Sequence, residues 1–190
     1  MQQRRFLDMF LLLGFATIAS AHFVFVVPQP GGATAQVILS EDLKPSEQVD
    51  AGLIGGAKLK LRDARGPETA LTLVKGDHAF VTQLPGAGTR LIHGVADLGC
   101  MQQGQEKPYL LVYYPKTIVG DAFDHNAVVG SETPVEIIAV GEPGALRLKV
   151  LAHGKPQLKT EVTIILPDGA QRKLTTDQAG LTEVLTQTGR

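Results

Sequence analysis

Short runs of apolar or alternating residues recur along this chain at intervals of roughly 8–12 residues, closed by glycine- or proline-bearing turns, and none carries a helical period. That spacing leaves little room for helix bundles or for sheets with helical crossovers. It points to antiparallel strands packed as β-sandwiches. Two runs show the pattern well. Residues 57–62 alternate, with Leu59 and Leu61 on one face and Lys58, Lys60 and Arg62 on the other. Residues 146–151 repeat it, with Leu146, Leu148 and Val150 against Arg147 and Lys149. The run 23–27 is continuously apolar and reads as a strand buried on both faces.

Further strands are expected at 35–39, 70–74, 79–84, 90–95, 109–114, 135–140, 162–166 and 172–175. Residues 40–45 form a polar loop with room for a helical turn, and 98–105 a polar loop or bulged edge. The break Gly141-Glu142-Pro143-Gly144 divides the chain into an N-terminal unit, 22–140, and a C-terminal unit, 141–190. The expected fold is two consecutive antiparallel β-sandwiches of immunoglobulin-like or prealbumin-like type. The second stops where another strand is anticipated, so it reads as incomplete or paired with something else.

Residues 1–21 read as a secretory signal peptide. Arg4 and Arg5 precede the apolar run 9–19, and Ala19-Ser20-Ala21 supplies small residues for a cleavage site. The run is short of the roughly 17–25 residues of a transmembrane helix, and no second long apolar run follows. The expectation is an exported protein, periplasmic or secreted, with no membrane span after processing. Cleavage removes Arg4, Arg5 and Asp8, leaving 16 basic against 18 acidic residues. That balance is no footprint for nucleic acid. A single cysteine, Cys100, rules out an internal disulfide and reads as a small buried hydrophobe.

Cleavage after Ala21 gives His22 the mature α-amino group as well as its imidazole. Two nitrogens on one residue can chelate a divalent ion such as Ni, Co or Cu, with pKa values of about 7.7–8.0 and about 6.5 that permit deprotonation at mild pH. A third donor must come from elsewhere, the candidates being His78, His93, His125, Asp121 and Asp124. The expected metal ligands are His22, His78, His125 and Asp124. Asp77 lies beside His78, where it could orient the ring. Nothing points to an enzyme. There is no Gly-x-Ser-x-Gly elbow, no phosphate-cradling glycine loop and no His-Glu-x-x-His. An oxidative polysaccharide-cleaving copper enzyme would also begin with histidine, but the chain has no Trp and only three Tyr to meet a glycan.

Two stretches carry a resemblance. Ala152-His153-Gly154-Lys155-Pro156, residues 161–169 ending in Pro167-Asp168-Gly169, and Thr175-Thr176-Asp177-Gln178-Ala179-Gly180 resemble the carboxypeptidase regulatory-like β-sandwich. This resemblance implies a structural module. Ala21-His22-Phe23, with the apolar residues and Pro28 that follow, resembles a family of bacterial exported proteins often labelled periplasmic components of nickel or cobalt uptake. That resemblance implies a metal-binding role beside a membrane uptake transporter, and it carries over His22 alone. The alternative is a structural or adhesive surface protein that binds no metal.

Overall fold

Alternation along the strands builds the molecule. In the computed structural model, which describes residues 22–63, 67–102 and 104–185, every element longer than a single helical turn is a β-strand. The expected signal peptide, 1–21, lies outside the described residues, as do residues 186–190.

The N-terminal unit is a sandwich of two antiparallel sheets. In the first, β1 (Phe23–Pro28) pairs with β2 (Thr34–Ser40), β2 with β6 (Phe80–Gln83), and β6 with β5 (Val74–Lys75). In the second, β3 (Lys58–Asp63) lies between the short β4 (Thr69–Ala70) and the long β7 (Arg90–Met101). The far side of β7 carries both β8 (Tyr109–Tyr113) and β9 (Lys116–Val119). Val24, Val26, Val37, Leu39 and Phe80 from the first sheet meet Leu59, Leu61, Ile92 and Ala96 from the second in one core. A 3-10 turn, Ala51–Ile54, adds Ile54, its start held by Asp50, whose carboxylate accepts from the Gly52 N–H at 2.7 Å.

Three features depart from expectation. Only one face of β1 meets the core: Val24 and Val26 are buried, whereas Phe23 stays 46% exposed on the other face. Residues 70–74 do not make one strand. β4 and β5 belong to different sheets, and the chain crosses between them because Leu71 and Leu73 turn in against the core. β7 runs on to Met101 through a bulge between Asp97 and Cys100, and this leaves Cys100 exposed rather than buried.

The C-terminal unit has two small antiparallel sheets. β10 (Val135–Val140), β11 (Arg147–Ala152) and β12 (Lys155–Pro156) form one; β13 (Glu161–Ile165) and β14 (Gln171–Thr175) form the other. Val150, Val162, Leu174 and Leu185 are buried. β11 and β12 are joined through His153 and Gly154, both at positive φ (49° and 73°), the geometry of a tight hairpin turn. β10 pairs with β11 from Val135 opposite Ala152 to Val140 opposite Arg147. The expected division at 140/141 therefore falls inside a hairpin, and the change of sheet lies between β9 and β10. There Lys116 Nζ reaches Glu136 Oε1 at 2.5 Å and the Ile137 carbonyl at 3.1 Å, and Arg62 Nη1 donates to the Val128 carbonyl at 2.8 Å.

Candidate functional site

The β1–β2 register decides what His22 faces. Phe23 lies opposite Ser40, so one step outward brings His22 beside Glu41. The imidazole Nε2 stands 3.6 Å from Glu41 Oε1, with the two side chains 33% and 52% exposed. That is ion-pair range, longer than a hydrogen bond. The backbone of His22 is held from the other side. The Tyr113 hydroxyl, on β8, donates to the His22 carbonyl at 2.5 Å, and the Tyr113 ring meets Phe23 edge-on with centroids 6.2 Å apart. Burial raises the Tyr113 phenol above its ordinary value, helped by Tyr109, which keeps it a donor.

A chain beginning at His22 would carry a second nitrogen donor on this residue. An α-amine and the Nδ1 of the same histidine close a six-membered ring on a metal ion. Nε2 is the nitrogen such a chelate leaves free, and it is the one turned to Glu41. Within the chain as it stands, His22 offers one side-chain nitrogen donor set, its imidazole, with Glu41 Oε1 3.6 Å from Nε2.

The other expected ligands lie elsewhere. His78 is exposed in the turn between β5 and β6, at the edge of the first sheet remote from β1. Asp124 and His125 stay together after β9, His125 Nδ1 being 3.2 Å from Asp124 Oδ1 with the histidine side chain 90% exposed. Asp124 is occupied as a cap: its carboxylate accepts from the Asn126 N–H at 2.9 Å, and that backbone bond leads the effects that hold its pKa below the usual carboxylate value. Asp121 accepts from the Phe123 N–H at 2.9 Å. His93 is buried on β7 with Nε2 2.8 Å from Glu68 Oε1. Among the described residues no three His, Cys, Asp or Glu side chains gather to hold a metal ion, so His78, His125 and Asp124 do not complete a site with His22.

Glu41 and Tyr113 were not singled out from sequence. Their relation to His22 depends on strand register, which no local pattern displays. Beyond them opens a groove of about 680 Å³ between the two units. Phe23, Phe25, Tyr113 and Tyr114 form one wall, and Val135, Ile137 and Val162 the other, with Glu41 at the side shared with His22. No family model, curated protein or solved structure matches the chain, so site and fold rest on its own residues.

Proposed function

We propose that this is an exported, periplasmic or secreted binder of a divalent transition-metal ion, of the nickel, cobalt or copper class, that serves a membrane uptake transporter. Processing after Ala21 would give His22 its free amine, and the amine with Nδ1 would anchor the ion. The single observation that supports this reading is the imidazole of the residue before β1, half-exposed, with Nε2 toward Glu41 at 3.6 Å. Reaction chemistry has no place in the proposal; the protein holds and hands over.

The test is titration of Ni(II) and Cu(II) into chain beginning at His22, against the same chain with one extra residue before it. The extension displaces the amine and leaves the sandwich intact. One-to-one binding that weakens at least tenfold in the extended chain and in His22→Ala, with thermal stability in metal-free buffer unchanged, is the expected result. Equal affinity in all three would remove His22 from the site.

A second reading is a structural or adhesive protein without metal. It draws on the apolar side chains left in solvent on strands β8 and β10, with Leu110 at 67%, Val135 at 47% and Ile137 at 43% exposed. Absence of metal binding in every chain would favour it.

A further inference from the structure

The first sheet opens at the edge remote from β1. There β5 faces β6 over two pairs, Val74 opposite Val81 and Lys75 opposite Phe80. Before Val74 the chain is held to the second sheet, where the Leu71 N–H donates to the Leu59 carbonyl at 2.9 Å. Thr82 and Gln83 therefore have β2 on one side and no strand of the described residues on the other. A cleft of about 540 Å³ occupies that gap. Leu71, Val74, Val81 and Pro85 wall it, and Thr82 and Gln83 run along it.

Two polar features of the cleft lack partners. Thr82 is 2% exposed, and its Oγ1 is buried with no hydrogen-bond partner among the described residues. A buried hydroxyl in that state is costly, and a ligand atom that reaches it recovers the bond. The second feature is backbone. Successive residues of an antiparallel strand turn their N–H and C=O groups to opposite edges. The Leu84 N–H donates to the Ala33 carbonyl at 2.8 Å, whereas the Thr34 carbonyl accepts from Gln29, on the side of β1, at 2.9 Å. Gln83, opposite Thr34, therefore turns its N–H and C=O away from β2 and toward the cleft, where no described residue meets them.

These features define an occupant. Among the described residues no charged side chain lines the cleft. A charged guest would lose water there and gain no counter-charge. The walls, with Val74 63% exposed, favour an apolar body. An N–H and a C=O side by side on a strand edge match a secondary amide, which offers an acceptor and a donor in return. We propose that this cleft binds a small, neutral secondary amide with an apolar substituent, paired with the Gln83 backbone, its carbonyl also accepting from the Thr82 hydroxyl. The site is independent of metal binding at His22, which precedes the strand at the opposite edge of the sheet.

The experiment is protein-observed NMR on chain beginning at His22 with three probes: N-benzylacetamide, N-benzyl-N-methylacetamide, which has no N–H, and benzylammonium, which is charged. N-benzylacetamide is expected to give saturable shifts of the Thr82 and Gln83 amide signals. The tertiary amide should bind about tenfold more weakly, and benzylammonium should leave those signals unmoved. Thr82→Val is close in shape and removes a hydroxyl that has no partner, so it should weaken binding about tenfold without lowering the thermal midpoint. Thr82→Ser should retain binding. Val74→Asp, at an exposed wall position, should abolish it with the fold intact. Absence of shifts at Thr82 and Gln83 overturns the inference and leaves water as the partner of the hydroxyl. Equal binding of the tertiary amide, or an affinity unchanged in folded Thr82→Val, also overturns it. Should Thr82→Val fail to fold, the tertiary amide and Val74→Asp decide: binding that survives either change overturns the inference.

Discussion

Glu68 shows how much one side chain can organise on the outer face of a sheet. Its carboxylate takes Arg62 Nη2 at 2.6 Å, His93 Nε2 at 2.8 Å and Lys60 Nζ at 3.2 Å, gathering β3 and β7 around the residue before β4. Burial alone would raise its pKa. The hydrogen bonds from Arg62, His93 and Lys60 together outweigh burial and hold it at about 2, against 4.5 for a free side chain. The unfolded chain therefore binds the extra proton first as pH falls, and the stabilisation present above about 4.5 is lost between there and about 2. Allowing for solvent screening, the loss is about 1–2 kcal/mol. In urea unfolding, Glu68→Gln should be less stable than the native chain at pH 6, and the gap should narrow by that amount at pH 2.5. An unchanged gap would mean that shape and packing, not charge, account for the role of Glu68.

Between elements, Glu136 is the equivalent hinge point. It lies on β10, is only 4% exposed, and accepts from the backbone N–H groups of Val129 and Gly130 at 2.7 and 2.9 Å as well as from Lys116 on β9. Burial holds the Lys116 ammonium below its usual value, although Glu136 pulls it the other way. Glu136→Gln removes the charge opposite that ammonium, leaving it the Ile137 carbonyl and a neutral amide oxygen, and turns an NH2 group toward one of the two backbone N–H donors, at a cost of about 3–5 kcal/mol. Lys116→Met leaves a carboxylate still capped by two N–H groups, so it should cost clearly less. Thermal unfolding that ranks the two variants the other way would make the ion pair, rather than the capping of residues 129–130, the main term. How far sequence reaches is visible at this scale. β3 and β11 were legible because one face is charged and the other aliphatic. β1 was misread as doubly buried because the residues of its groove face, Phe23 and Phe25, are as apolar as those of its core face. Glu41 was invisible, since its place beside His22 depends on the turn at residues 29–34, where Gln29 N–H meets the Thr34 carbonyl at 2.9 Å. The chemistry expected of His22 is local and needs no fold; its neighbours come from register, which does. β9 was missed because four residues are too few to show a period.

At the scale of the whole molecule, the question is which residues fold together. Gly141-Glu142-Pro143-Gly144 has the composition of a linker, yet it is a hairpin turn: the Ala145 N–H meets the Glu142 carbonyl at 2.9 Å, and Gly141 adopts a φ of 109°. The six paired residues of β10 are part of the C-terminal sheet. A unit of about sixty residues is marginal by size alone, so an edge strand decides whether it folds. Cutting after residue 140 would deprive β11 of its partner along its full length and leave a row of backbone groups for water or another chain to satisfy. Cutting after residue 131 keeps the hairpin whole. A fragment of residues 132–190 should therefore unfold cooperatively on heating and give a dispersed amide NMR spectrum. A fragment of residues 141–190 should show neither. If the shorter fragment folded with the same midpoint as the longer, β10 would contribute nothing to that unit, and its attachment to Lys116 across the joint would become the better account of why it is there.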